Sequence, residues 1–192
     1  MTWGQAEYLA AEELPRKHGF WWTPDGTALV ATRVDVSQME RWHLCDPVDP
    51  VNVPVAVTFP RAGAANADVS LWRVDLDGSR SEICWDVATF SYLVDVSWQP
   101  HGPLTLLVQT RDQRTMRVLD AGTGAGPTVV VHEEHDPEWT EIVRGLPAGW
   151  LTDGRLVVTM EVADTRRLLV DGKLSTPVGL EVRRVAAAYR RG

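Results

Sequence analysis

Cysteine is scarce in this 192-residue chain: Cys45 and Cys84 are the only two. Two cysteines make no disulfide framework, and they fit a reducing compartment, so a cytoplasmic location is expected. A single bridge stays open from sequence; the simpler expectation is two buried free thiols, because free cysteine usually serves as a small core residue. No run of 18 apolar residues occurs, so no membrane-spanning helix is expected. Met1 to Glu7 carry neither a basic stretch nor an apolar core, so no secretory leader is expected. Positive charge is outnumbered, 19 Lys and Arg against 26 Asp and Glu, a net charge of −7. That balance disfavours nucleic acid or an anionic membrane as partner and suits a cationic or neutral ligand. A Gly-x-Ser-x-Gly nucleophile elbow is also missing: none of Ser37, Ser70, Ser79, Ser81, Ser91, Ser97 and Ser175 lies in that context.

What is present reads as an ordinary globular chain, 44% hydrophobic and 23% charged. Nine tryptophans stand beside only three tyrosines and three phenylalanines. Trp is large and usually buried over most of its area, so nine of them predict a substantial core or packed sheet faces. Gln5 to Leu14 are good helix formers, and Pro15 stops them, which predicts at most about two to three turns of helix.

The remainder reads as short strands between turn signals. Strands are predicted at 27–33, 69–76, 103–109, 116–119, 128–132, 155–162 and 167–170. The pieces repeat. An aromatic residue precedes a Gly turn in Trp22-Thr23-Pro24-Asp25-Gly26, Trp98-Gln99-Pro100-His101-Gly102 and Trp150-Leu151-Thr152-Asp153-Gly154. An apolar strand runs into a turn in Leu71 to Gly78, Val118 to Gly122 and Leu168 to Gly172. The turn glycines at 26, 102 and 154 are 76 and 52 residues apart. A period of roughly 40 to 50 residues with four strands each is the mark of propeller blades. The longer first interval predicts an insertion, placed at residues 45–63 with Pro47, Pro50, Pro54 and Pro60. The expected fold is all-β, a partial β-propeller of about three four-stranded blades with a short N-terminal helix. Three blades do not close a ring, so the chain is expected to be a slice of a larger propeller or to assemble.

Ala6 to Gly26, with Glu12-Glu13 ahead of Trp21-Trp22-Thr23-Pro24-Asp25-Gly26, resembles one family. It is similar to the N-terminal propeller of the dipeptidyl peptidase IV branch of the prolyl oligopeptidase family. There a short helix carries a double glutamate just before a Trp-Trp-Ser-Pro-Asp-Gly blade strand. Phe59-Pro60-Arg61-Ala62-Gly63-Ala64-Ala65-Asn66 resembles that family's aromatic-Pro-Lys-Ala-Gly-x-x-Asn segment, and Tyr92 to Trp98 is a weaker third match. The resemblance covers roughly residues 6 to 160. It implies that Glu12 and Glu13 grip the free α-amino group of a peptide substrate. A pair of carboxylates can accept several charge-assisted hydrogen bonds from that ammonium. Counting from the amine would fix which peptide bond is cut, giving release of N-terminal dipeptides with proline or alanine second. The family's Ser, Asp and His belong to a C-terminal α/β-hydrolase domain, which the 192 residues do not contain. The whole chain, 1–192, is therefore expected to be a non-catalytic propeller segment, with no catalytic residue, cofactor or metal of its own. Expected partners are a peptide N-terminus and a catalytic hydrolase domain. The alternatives are a protein-interaction module, which could pair with itself through exposed blade edges, and an inactive truncated remnant.

Other clusters carry weaker chemistry. His132-Glu133-Glu134-His135-Asp136 has histidines three apart rather than the four of a zinc-peptidase helix, so a polar blade loop is expected. Gly122-Thr123-Gly124-Ala125-Gly126 lacks a dinucleotide fingerprint's spacing and is expected to be a flexible hairpin turn. Arg111-Asp112-Gln113-Arg114 could line a substrate channel, but a solvated hairpin is the expectation. Arg183, Arg184, Arg190 and Arg191 are too few to make a nucleic-acid patch.

Overall fold

A computed structural model describes residues 1–14, 16–143 and 148–186. Pro15, Ala187, Ala188, Arg190 and Arg191 of the sequence reading lie outside these residues. In chain order the first elements are β1 (Thr2–Trp3), α1 (Tyr8–Glu12), β2 (Phe20–Trp22) and β3 (Ala28–Asp35). A projecting hairpin follows, β4 (Arg41–Leu44) and β5 (Val55–Thr58), then β6 (Asp68–Asp75) and β7 (Arg80–Cys84). The next run is β8 (Tyr92–Trp98), β9 (Leu104–Gln109), β10 (Thr115–Asp120), β11 (Gly126–Pro127) and β12 (Val129–His135). The last is β13 (Ala148–Trp150), β14 (Leu156–Glu161), β15 (Arg166–Val170) and β16 (Lys173–Leu174).

Three antiparallel four-stranded meanders result: β2-β3-β6-β7, β8-β9-β10-β12 and β13-β14-β15-β16. They are the three expected blades. β1 joins β3 at the edge of the first blade, where Trp3 packs edge-on against Trp72, with the Arg80 guanidinium over its ring at 5.0 Å. The Pro-Asp-Gly turn works as its chemistry requires. The Asp25 carboxylate accepts from the Thr23 hydroxyl at 2.5 Å and from the Thr27 backbone N–H and hydroxyl. Those donors, the Thr23 hydroxyl foremost, hold the Asp25 pKa down at about 2. Gly26 then takes φ +70°, a conformation that side-chain-bearing residues seldom adopt.

β9 is buried along its whole length, and its alternation feeds two cores. Leu104, Leu106 and Val108 meet Val30, Leu71, Ile83 and Leu93 between the first and second blades. Leu107 faces the other way, toward Leu156, Val158 and Leu169 of the third blade. Helix α1 closes this second core with Ala10, and Leu14 follows behind it. Fully burying each such aliphatic side chain contributes about 1.5–3 kcal/mol.

The helix is shorter than the stretch of helix formers at 5–14, five residues, within the expected upper bound. Its N-cap Glu7 makes no capping bond to the helix backbone, and it ends at the capping residue Glu13. Several expectations are corrected. The insertion is an ordered hairpin over 41–58 that exposes Trp42, Leu44, Val48, Val51, Val53 and Val55. His132 to His135 form strand, not loop, because they pair with Thr115 to Val118. The Gly122–Gly126 stretch is more than a hairpin turn, because β11 at its end pairs parallel with β7 of the first blade. Cys45 and Cys84 are exposed free thiols rather than buried ones. The tryptophans line core edges instead of filling cores: Trp21, Trp85, Trp98 and Trp150 are half-buried, and Trp22, Trp42 and Trp139 are exposed. No described helix is long and apolar enough to cross a membrane.

Candidate functional site

The double glutamate stands on a platform fixed by one buried cation. Arg16 is 1% exposed. Its guanidinium donates to the Glu7 carboxylate at 2.6 Å, to the Leu93 carbonyl at 3.1 Å and to the His18 carbonyl at 3.3 Å. Glu7 precedes α1, Leu93 lies in β8, and Arg16 follows the helix. One side chain therefore ties both ends of the helical segment to the second blade. A buried ion pair with its remaining donors satisfied holds a unique geometry, and removing either partner strands a charge. Gly19 completes the seat. A Cβ there would come within 2.2 Å of the Thr32 Oγ1 and 2.5 Å of the Gln5 carbonyl, so only glycine fits. The Thr32 hydroxyl lies 2.8 Å from that same Gln5 carbonyl, holding the segment that precedes α1.

From this platform Glu12 and Glu13 project, both exposed, onto the wall of an open cleft of about 1030 Å³. Asp95 and Glu141 add two more carboxylates, Trp139 an aromatic ring, and Lys17, Arg183 and Arg184 three cations. Asp95 reaches the cleft because β8 carries a bulge between Leu93 and Asp95. Burial pushes its carboxyl above the ordinary range, opposed by the hydrogen bond it accepts from the Val96 N–H and by the charges of Arg16 and His18. Lys17 donates to the Ala11 carbonyl, one of the free acceptors at the helix C-terminus.

The opposite wall, Trp139 to Ile142, hangs on Thr140. Its backbone N–H and hydroxyl both donate to the Gln113 carbonyl, at 2.7 and 2.9 Å. The buried Gln109 side-chain amide donates to the Thr140 Oγ1 at 3.0 Å. Glu141 pairs with Arg166 of the third blade at 3.3 Å. The cleft thus takes one wall from α1 and β8 and the other from the segment between β12 and β13. Four carboxylates and an exposed indole ring can take a small cation or ammonium, with the ring face as a further electron-rich contact. Among the described residues no cluster of three or more His, Cys, Asp or Glu has a metal-binding arrangement, and His132 and His135 point to opposite faces of β12.

Sequence reasoning placed Glu12 and Glu13, and the structure puts both on one cleft wall. It did not find Asp95, Trp139, Glu141 or Arg16. Asp95 depends on a bulge, and Trp139 and Glu141 on a tertiary hydrogen bond. Arg16 carried one readable signal, a cation a few residues past a helix that Glu7 precedes.

Residues 1–170 match the model of the dipeptidyl peptidase IV (DPP IV) N-terminal region. The fold is similar to dipeptidyl peptidase 4 of Porphyromonas gingivalis, with TM-score 0.79 and 14% identity over 95% of this chain and 27% of that one. It is also similar to a putative dipeptidyl aminopeptidase IV of Bacteroides ovatus, with TM-score 0.74 and 22% identity over 88% of this chain and 24% of that one. The chain spans about a quarter of the length of these two structures. With a match across 170 residues, and blades that superpose on those of both peptidases, the chain belongs to the dipeptidyl peptidase IV N-terminal region family.

Proposed function

We propose that this chain is the substrate-recognising propeller segment of a dipeptidyl peptidase IV-like peptidase, with Glu12 and Glu13 holding the protonated α-amine of a peptide. The observation that carries the reading is the convergence of both carboxylates on one cleft, held there by the buried Arg16 clamp. A peptide amine is a cation near pH 7. Each carboxylate accepts a short N–H···O bond from it, and such bonds are roughly twice as strong as neutral ones. Asp95 and Glu141 stand on the same cleft, but Arg166 already pairs with Glu141 and Lys17, Arg183 and Arg184 line the space too, so recognition of the amine rests on Glu12 and Glu13. Trp139, 62% exposed on the rim, offers an apolar and aromatic surface to the residues that follow the amine. The segment's part in proteolysis is positional: anchoring the amine sets the register at which a hydrolase nucleophile meets the peptide. Bond cleavage belongs to a hydrolase nucleophile outside these residues.

Calorimetric titration of Xaa-Pro dipeptides tests the reading. The unmodified chain is expected to bind free-amine dipeptides and to ignore N-acetylated ones. The Glu12→Gln, Glu13→Gln double variant is expected to bind at least about tenfold more weakly, the loss of one to two charge-assisted bonds. Equal heats for the two proteins would refute amine recognition by this pair.

A further inference from the structure

Glu134 is buried where a carboxylate is costly. It lies on β12 of the second blade, is 7% exposed, and accepts the Glu161 backbone N–H of the third blade at 3.1 Å. It lines an internal space of only about 20 Å³ together with His132, Glu141, Ile142, Val158 and Thr159. Of the neighbouring elements, β15 brings cations, Arg166 and Arg167, and neither donates to Glu134. On its own strand, His132 has a buried Nε2 with no hydrogen-bond partner among the described residues, and burial holds that ring toward its neutral form. Asp136 follows β12, and Glu161 ends β14; both are acidic and repel a carboxylate at position 134. Across the space stands Glu141, already paired with Arg166. Arg167, on the Leu169 side of β15, donates one guanidinium nitrogen to the Thr176 carbonyl, while its buried Nε has no hydrogen-bond partner among the described residues. β10 offers Met116 and Val118, and α1 offers Ala10, all apolar. No described cation donates to Glu134.

We propose that Glu134 is a pH-sensitive latch on the seam between the second and third blades: the protonated carboxyl closes the seam, and the ionised carboxylate loosens it. Glu141 borders both this space and the open cleft, so the seam underlies one wall of the candidate site. Protonated, the side chain keeps the Glu161 bond through its carbonyl oxygen and sheds the unpaired charge. Burial and the neighbouring acids push its pKa from 4.5 to about 7. The folded state therefore binds the proton more tightly than the unfolded chain. Stability contributed by the protonated group is complete below about pH 4.5 and is lost as pH rises through 7.

Urea unfolding of the full chain between pH 5 and 8 tests the latch, with Glu138→Gln as an exposed control. Relative to wild type, the folding equilibrium constant of Glu134→Gln is expected to gain on the order of a hundredfold from pH 5 to pH 8. Glu138→Gln is expected to track wild type. A constant offset between wild type and Glu134→Gln at every pH would overturn the latch. A carboxyl-carbon NMR titration of the unmodified chain gives a second reading, valid even if the variant fails to fold. A Glu134 midpoint near neutrality supports the latch, and a midpoint in the ordinary carboxylate range refutes it.

Discussion

Replacing Arg16 with alanine is the perturbation that this structure makes most consequential. The side chain has no exposed surface, and its partner Glu7 is only 9% exposed. Removal leaves the Glu7 carboxylate buried without its cation and the Leu93 carbonyl without that donor. Breaking a buried pair from one side costs about 3–5 kcal/mol. A chain of this size holds roughly 5–15 kcal/mol in total, so the loss is a large share of it. At about 2–4 °C per kcal/mol, the melting midpoint is expected to fall by roughly 6–20 °C. Chemical unfolding monitored by tryptophan fluorescence gives the number directly. The double variant Glu7→Leu, Arg16→Met separates the charge effect from general damage. Two apolar side chains of similar size leave no stranded charge, and stability is expected to recover most of the loss. A cost below about 1 kcal/mol for Arg16→Ala would show that the clamp does not hold the helix. So would a double variant as weak as the single one. Because the clamp seats Glu12 and Glu13, Arg16→Ala is also expected to abolish dipeptide binding under conditions where the chain stays folded.

Two further outcomes follow from the same platform. Gly19→Ala puts a Cβ into backbone and hydroxyl oxygens and is expected to cost about 1–3 kcal/mol, measured by urea unfolding; a neutral effect would show that the Gln5 to Thr32 contact gives way freely. Asp95 has its carboxyl raised above its ordinary 3.8, so the folded state holds that proton more tightly, and stability falls as pH rises from about 3.8 through the raised value. Asp95→Asn is expected to flatten that part of the stability profile and to gain on wild type above it. A profile parallel to wild type would remove burial as the cause.

The blades were legible because their signals are local. Pro-Asp-Gly at 24–26 and Asp-Gly at 153–154 name their own turns, and the short apolar run from Pro103 to Gln109, bounded by His101-Gly102, marks a buried strand. His132 to His135 misled because a charged run resembles a loop. Only the ladder to Thr115 through Val118 makes it a strand, with Glu134 turned inward. The tryptophans misled in the same way: those at the blade edges are half-buried or exposed, which composition does not reveal. Glu12 and Glu13 were found through resemblance, since an adjacent acidic pair on a short helix has no pattern of its own. The rest of the cleft depends on contacts between distant residues. The Arg16 to Leu93 bond spans 77 positions and the Gln109 to Thr140 bond 31, distances at which sequence spacing carries no signal.

The most direct test of the central claim is a crystal structure of the chain with an Xaa-Pro dipeptide. The account expects the ligand's ammonium nitrogen within about 2.7–3.2 Å of carboxylate oxygens from both Glu12 and Glu13, in the cleft beside Trp139. A dipeptide bound with its amine turned to solvent, or held by other groups while both glutamates stand apart, would contradict it.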